Sequence, residues 1–311
     1  MTTHSEPGDG RHDPSLDAIV SERRQLINVA YRLLGSVGDA EDVVQETYAR
    51  WYAMPRQQQK AIESPGAWLT KVASRICLDL LGSARVRRER YVGEWIPEPL
   101  PDQMEWTNQR SGSTSVDPAD RVTLDESINM AFLVVLESMT PAERVAFILH
   151  DVFGYSFPEV AEIVGRTPAA CRQLATSARR RIRASPAPAT PTAQQAALVR
   201  SFKQAWEAKD LNALIGLLDP DVTVTADGGG LVSAALHPIR GGEQVAHIAV
   251  GIVSRAPDLT ILERTVNGQP GLVAQQDGVT VTVLAFDFAG ERIKHIWAVR
   301  NPEKLRAWTR P

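Results

Sequence analysis

The chain has 311 residues, 43% of them hydrophobic and 23% charged, and its 34 basic and 37 acidic side chains leave a net charge of −3. That length predicts about two or three domains, the ordinary composition excludes wholesale disorder, and the near-neutral total gives no overall attraction to nucleic acid. Cys77 and Cys171, far apart and outside any CxxC or Cys/His cluster, exclude a disulfide framework and a zinc site, while the polar stretch MTTHSEPGDGRHDPS and the lack of a run of about 18 apolar residues point to a soluble, cytoplasmic chain with no membrane span.

Residues 1–20 read as a flexible tail, and residues 21–92 read as helical. Leu26, Ile27, Ala30, Leu33 and Leu34 recur at i+3/i+4 spacing, Val43, Val44, Thr47, Tyr48 and Trp51 continue the pattern, and Trp68, Leu69, Val72, Ile76, Leu80 and Leu81 repeat it. Charge is sorted along this stretch. The block 39–46 carries only acids, Asp39, Glu41, Asp42 and Glu46, whereas 85–90 holds four Arg to one Glu. The acidic block suits either a solvated helix start, where acids favour the macrodipole, or a protein-docking face. Lys71, Ser74, Arg75, Arg85, Arg87 and Arg88, near aromatic Trp68 and Tyr91, suit either a solvated basic face or a groove that holds an unstacked nucleic-acid strand.

Periodicity lapses over 93–121, a Pro-, Ser- and acid-rich connection. A second helical domain is expected over 122–185. Thr140-Pro141 with Glu143, and Ser156 with Glu159, are capping boxes; Gly165 sits where a C-terminal cap belongs, and Thr167-Pro168 starts another helix. Two helices around a short turn with Gly match a helix-turn-helix. The second helix places Ala170, Leu174, Ala178 and Ile182 on one face and leaves Arg172, Gln173, Thr176, Arg179, Arg180 and Arg183 elsewhere. Residues 166–183 hold six Arg and no acid; guanidinium groups neutralise phosphate and read guanine, and Gln can pair with adenine. A plain helical hairpin with a solvated basic face has the same pattern.

A Pro/Ala linker, 186–196, leads to a third domain over 197–311. Amphipathic helices are expected at Ala196–Trp206 and Leu211–Leu218, and strands at 222–226, Leu259–Val266, Gly271–Gln275, Val279–Phe288 and Ile293–Val299, with turns at Asn267-Gly268, Asp277-Gly278 and Ala289-Gly290. This is an α+β domain with an antiparallel sheet. Asp227-Gly228-Gly229-Gly230 follows a strand, where glycines permit close approach of another backbone or merely a flexible turn.

LINVAYRLLGSVGDAEDVVQETYARWY and GAWLTKVASRICLDLLGSARVRRERY resemble region 2 of an extracytoplasmic-function (ECF) RNA polymerase sigma factor, and LESMTPAERVAFILHDVFGYSFPEVAEIVGRTPAACRQLATSARRRI resembles its region 4. The third domain resembles the SnoaL-like cone fold. Trp95-Ile96-Pro97-Glu98-Pro99, Asp227-Gly228-Gly229-Gly230 and Asn301-Pro302-Glu303-Lys304-Leu305 resemble motifs of the SigJ-like ECF group that carries this extension, although the lysine usual there after the glycines is Leu231 here.

The resemblance implies two all-α sigma domains, a region 2 helical bundle and a region 4 helix-turn-helix, followed by the cone-shaped α+β domain. It implies a non-enzymatic, cofactor-free initiation factor that binds core RNA polymerase, through the β′ clamp helices and the β subunit, and promoter DNA. Asp39, Glu41, Asp42, Gln45 and Glu46 would dock on polymerase. Lys71, Ser74, Arg75, Arg85, Arg87 and Arg88 would hold the −10 element, and Arg166, Thr167, Arg172, Gln173, Thr176, Arg179 and Arg180 would read the −35 element. Trp95, Pro97, Glu98, Pro99, Asp227, Gly228, Gly229, Gly230, Asn301, Pro302, Lys304 and Leu305 would control activity between domains. The alternative for the third domain is a small-ligand sensor or isomerase-like enzyme, for which Asp227, His237, His247, Asp287 and His295 beside Trp206 and Trp297 are the available acids and bases. A DNA-binding repressor without polymerase contact is a third possibility.

Overall fold

The computed structural model describes residues 14–88, 91–102, 128–184 and 192–309. The first thirteen residues of the expected tail, most of the 93–121 connection and residues 186–191 of the second linker lie outside the described part, as do positions 122–127 and 185 of the second helical domain. Helix α1 (Pro14–Leu34) begins inside the expected tail, and α2 (Val37–Ala53), α3 (Arg56–Ala61) and α4 (Pro65–Arg88) complete the first bundle. Ser36 caps α2 by accepting from the Asp39 amide at 3.2 Å. Helices α5 (Met130–Glu137), α6 (Pro141–Phe147), α7 (Phe157–Val164) and α8 (Pro168–Ala184) follow. Both capping boxes form, Thr140 with Glu143 and Ser156 with Glu159, and Gly165 ends α7 in the left-handed conformation. Periodicity gave no sign of the π-helical turn Ile148–Val152 that extends α6.

Helices of seven or eight residues are marginal alone, so α5, α6 and α7 exist because their apolar faces are buried. They are buried against the first bundle. Leu26, Val29 and Leu33 of α1, Val43 of α2 and Leu69 and Cys77 of α4 form one continuous core with Leu133, Val145, Phe147, Leu149 and Val160. Each such side chain removed from water contributes about 1.5–3 kcal/mol. Two helical domains separable in sequence therefore share one interior. Polar links cross it as well: Arg144, 2% exposed, donates through Nη1 to the Leu33 carbonyl at 2.9 Å and to Glu137 Oε1 at 2.8 Å. Gln25 Nε2 donates to the Tyr155 hydroxyl at 2.9 Å.

The C-terminal domain contains α9 (Thr192–Glu207), α10 (Leu211–Leu217), β1 (Leu218–Asp227), β2 (Ile239–Arg240), α11 (Gly242–Arg255), β3 (Thr260–Val266), β4 (Gln269–Gln276), β5 (Val279–Ala289), β6 (Arg292–Val299) and α12 (Arg306–Thr309). Helix α9 starts within the predicted linker. Helix α11 has no counterpart in the sequence reading, although its buried Val245, Ala246 and Ala249 fall on one helical face. The strands form a six-stranded sheet in the order β2-β1-β6-β5-β4-β3. All neighbours are antiparallel except β1 and β6, which are parallel, so the sheet is mixed rather than purely antiparallel. One face, with Phe286, Phe288 and Ile296, is covered by Phe202 and Trp206 of α9 and Val245 of α11. The opposite face, with Val283, Ala285, Trp297 and Val299, is covered by Ile96 of the interdomain segment, Met130 of α5 and Leu305. Both faces are thus covered, one by the domain's own helices and one by the interdomain segment, α5 and Leu305.

The hairpin at Asn267-Gly268 has positive φ at both residues, 51° and 73°, as a type I′ turn requires. Its asparagine does more than turn the chain. Asn267 is fully buried: its Oδ1 accepts from the Leu100 amide at 3.0 Å, and its Nδ2 donates to the Tyr31 hydroxyl at 2.9 Å and the Ile128 carbonyl at 2.8 Å. The turn is thereby bonded to α1, to the interdomain segment and to the residues just before α5. Asn267→Ala leaves several buried polar groups unpaired and forces alanine into a left-handed conformation. It should cost about 2–4 kcal/mol, read as a lowered urea midpoint with the chain still folded.

Candidate functional site

The polar centre of the molecule is Asp227, at the end of β1 and fully buried. Its Oδ1 accepts from the Tyr91 hydroxyl at 2.6 Å and the Gly229 amide at 3.0 Å. Its Oδ2 accepts from the Ile96 amide at 3.0 Å and from Lys304 Nζ at 2.7 Å. Lys304 also donates to the Ile96 carbonyl at 2.5 Å, and its ammonium lies 4.1 Å from the Trp95 ring centroid and 5.2 Å from that of Tyr91. Asn301 Nδ2 donates to the Tyr91 hydroxyl at 2.9 Å, and the Arg300 and Asn301 amides donate to the Asp227 carbonyl at 2.7 and 2.9 Å. Three segments distant in sequence, 91–96, 227–229 and 300–304, therefore satisfy one another. Burial and the neighbouring carboxylate raise the Tyr91 phenol above its ordinary range, so it stays a donor.

Gly229 explains the glycine run. Its φ is +62°, and a Cβ there would lie 2.3 Å from Asn301 Nδ2, while a Cβ at Gly228 would lie 2.4 Å from the Val232 carbonyl oxygen, so both a side chain and a backbone approach the run closely. Leu231 is 59% exposed; the buried cation beside Asp227 comes from Lys304. Trp95 rests on the α1–α2 junction, where a Cβ at Gly35 would be 2.8 Å from its ring.

The same segment reaches the first bundle through Glu98. Its Oε2 accepts from the Val37 amide at 2.7 Å, its amide donates to the Gly35 carbonyl at 2.8 Å, and its carbonyl accepts from the Tyr31 hydroxyl at 2.7 Å. Burial pushes its carboxyl up to about 7, although the Val37 amide and the Lys304 ammonium favour the ionised form. Pro97 and Pro99 are buried beside it, and the Pro99 carbonyl accepts from Trp308 Nε1 at 2.9 Å. Leu305 is 2% exposed within the interdomain apolar cluster. Pro302 is exposed, as is Gly230, while Gly228 is buried.

The expected charged surfaces are placed differently from one another. On α2, Glu41, Asp42, Gln45 and Glu46 are exposed and Asp39 is half-buried, with Glu46 paired to Arg50 one turn on; Val43, Val44 and Thr47 face the core. On α8, Arg172, Gln173, Thr176 and Arg180 are exposed, as are Arg166 and Thr167 in the turn before it. Arg172 lies 5.1 Å from the Phe157 ring centroid, and Thr167 Oγ1 caps α8 by accepting from the Ala170 amide at 3.2 Å.

Three expectations need correction. Arg179 does not join the free basic face: its Nε donates at 2.5 Å to Oδ1 of Asp151, a carboxylate 4% exposed, and a buried acid holds its partner firmly. Ser74 is fully buried, because it falls with Ala73 and Cys77 on the side of α4 that faces the core. Tyr91, expected near the strand-holding face, belongs instead to the Asp227 network. Arg85, Arg87 and Arg88 fall at the end of α4, where the side chains lie outside the described residues. Lys71 and Arg75 do face outward, but both meet Glu162 of α7: Lys71 Nζ donates to its Oε2 at 2.6 Å and Arg75 Nη2 to its carbonyl at 2.6 Å. The Lys71 ammonium holds the Glu162 carboxyl below the usual range. Sequence offered no signal for Glu162 or for the interdomain role of Asn267, because neither lies in a charge block or in the three short motifs.

Among the described residues, the acids and bases considered for catalysis line neither the cavity beside Trp206 nor the groove beside Val92. His237 and His247 are exposed. His295 and Asp287, 3.4 Å apart and beside Trp297, lie on the sheet face turned toward the helical half, whereas the cavity of about 430 Å³ opens on the other face beside Trp206. Among the described residues no helix is long and apolar enough to cross a membrane.

Residues 18–87 match the family model for Sigma-70 region 2, and residues 129–182 match that for Sigma-70, region 4. The chain is 38% identical over 295 residues to the ECF RNA polymerase sigma factor SigJ of Mycobacterium tuberculosis (strain H37Rv), covering 91% of this chain and 90% of that protein. It is 35% identical over 297 residues to the probable ECF RNA polymerase sigma factor SigI of Mycobacterium tuberculosis (strain CDC 1551), covering 95% and 96%. The crystal structure of Mycobacterium tuberculosis SigJ superposes with a TM-score of 0.71 at 33% identity, covering 94% of this chain and 98% of that one.

Two outcomes follow from this geometry. Lys304→Met leaves Asp227 buried without its cation and should cost about 3–5 kcal/mol of interdomain closure, read as faster hydrogen exchange at the Ile96 and Glu98 amides while the α1 and α4 amides stay protected. Glu98 carries a raised folded-state value, so its contribution to stability is full below about 4.5 and is lost as pH rises through about 7. Stability should therefore fall by on the order of 2–3 kcal/mol across that window, and Glu98→Gln should flatten this part of the pH profile in urea titrations.

Proposed function

The chain belongs to the ECF RNA polymerase sigma factors and serves promoter-directed transcription initiation with core RNA polymerase, and we propose that its C-terminal domain holds regions 2 and 4 in a closed, regulated arrangement. The observation that carries this reading is the buried Asp227 carboxylate, whose hydrogen-bond donors come from the interdomain segment and from the 300–304 motif at once. Such an arrangement regulates only if the domain binds the closed and open forms with different free energy, and the network exists only when the three segments meet.

Within this reading the sigma half works by contact, and the phosphodiester chemistry is the polymerase's. Asp39, Glu41, Asp42, Gln45 and Glu46 dock on the β′ clamp helices; the exposed part of α2 supports this, since the apolar side of the same helix is already used by the core. Region 4 engages the β subunit and presents Arg166, Arg172, Gln173, Thr176 and Arg180 to the −35 element. Lys71 and Arg75 receive the −10 strand, with Arg85, Arg87 and Arg88 beyond them on α4.

In the closed form Glu162 occupies Lys71 and Arg75, the positions the −10 phosphates need. This ion pair is exposed and weak, so it delays rather than forbids engagement, while the buried Asp227 network supplies the firm part of the closure. Neither chemistry nor a cofactor is assigned to the C-terminal domain, because its carboxylates and imidazoles are structural or solvated.

Glu162→Ala should raise transcription from a −10/−35 promoter by core polymerase about two- to fivefold; unchanged yield would remove Glu162 from the closure. Arg172→Ala should weaken promoter binding and lower the slope of log affinity against log salt by about one. Arg179→Ala should instead act on stability, through loss of the Asp151 ion pair, and leave that salt slope unchanged.

A further inference from the structure

The cavity of about 430 Å³ between the sheet and α9 and α11 has the size of a small-molecule site. Its walls are aromatic and aliphatic, from Phe202 and Trp206 of α9 to Leu284 and Ile296 of the sheet. The charged side chains that line it are Arg255, at the end of α11, and Arg300, just after β6; no Asp, Glu or His contributes. Among the described residues no carboxylate pairs with either arginine. Arg300 is half-buried and Arg255 exposed, so both stand at the mouth of the apolar cavity, and the planar fork of a guanidinium matches a carboxylate. We infer that this cavity binds an apolar monocarboxylate, its chain or ring among the aromatic walls and its acid on Arg300 with Arg255 beside it.

Arg300 also ties the cavity to the interdomain network. Its backbone amide donates to the Asp227 carbonyl at 2.7 Å, and its guanidinium donates to the Ser233 carbonyl of the loop that follows the glycines. Ala226, next to Asp227, and Ala234 and Ala235 of that loop line the cavity. On their other side the same three alanines line a groove shared with Val92 and Gly93 of the interdomain segment. A carboxylate that takes the Arg300 guanidinium competes with Ser233 for it. The loop carrying Gly228–Gly230 is then released from β6, and the packing of Gly229 against Asn301 and of Gly230 against Val92 loosens. Occupancy therefore shifts the chain toward the open form. Binding itself rests on the cavity alone, whereas this coupling rests on the closed arrangement proposed above.

The test titrates the full-length chain with decanoate by calorimetry, with decanol as the neutral probe of the same length, and follows hydrogen exchange over residues 92–100. One decanoate should bind per chain at least tenfold more tightly than decanol, Arg300→Gln should abolish that preference, and Arg255→Gln, a surface change, should reduce it. Exchange at the Ile96 and Glu98 amides should rise with decanoate. Absence of saturable decanoate binding, or equal binding of decanol by the unaltered chain, overturns the site. Saturable, Arg300-dependent binding without a change in exchange overturns the coupling, provided Lys304→Met does raise exchange; if Lys304→Met leaves exchange unchanged, the closed arrangement itself falls.

Discussion

A carboxylate removed entirely from water is costly unless every lone pair is met by a donor, and Asp227 meets that condition only through residues that lie far from it in sequence. Tyr91 and the Ile96 amide arrive from the interdomain segment, and Lys304 arrives from beyond the last strand. Separating the C-terminal domain from the helical half would strip Asp227 of its Tyr91 and Ile96 donors and Lys304 of the Ile96 carbonyl, leaving water to replace them around the Asp227–Lys304 pair. That constraint orders the rest of the molecule: the segment 95–100 is pinned across the outer face of the sheet, and α5 is brought against the same face.

The pinning extends into the first bundle. Glu98 caps the start of α2 through the Val37 amide and bonds the α1–α2 junction at Gly35, so α2, the helix with the exposed acidic face, is held at its first turn by a residue of the interdomain segment. Asn267 makes the equivalent connection from the β3–β4 turn to Tyr31 and the chain before α5. The C-terminal domain thus grips both helical regions through polar bonds buried in apolar surroundings, where each is strong and an unmade one is expensive. By contrast, the contact of Glu162 with Lys71 and Arg75 is solvated and readily exchanged for another partner.

The two faces of the sheet divide the work. The face turned to the helices is filled by Ile96, Met130, Trp297 and Leu305 and forms an interface. The face turned away retains a cavity whose rim shares Ala226 and Arg300 with the segments that bear Asp227 and Asn301. Because packed strands are stiff, a change on one face at these positions is felt on the other within a single residue.

Much of this was legible in the sequence. The capping boxes of α6 and α7, the glycine after α7, the Asn-Gly and Asp-Gly turns and the apolar periods of α1, α2 and α4 are local signals, set by backbone geometry and by which side chains seek burial, and they lead to helical regions followed by an α+β domain. The acidic and basic blocks cancel in the net charge of −3 yet leave exposed acids on α2 and exposed arginines on α8. Local pattern could not tell that Ser74 turns inward, that Arg179 spends its charge on Asp151, that Tyr91 serves Asp227, or that two helical regions share one core. Each of these depends on a partner 28 to 136 residues away, or on which side of a helix the neighbouring element lies. Sequence determined which side chains could bond, be buried or be charged; tertiary structure decided which of them meet, because pairing across the fold is a property of distance in space and not of spacing along the chain.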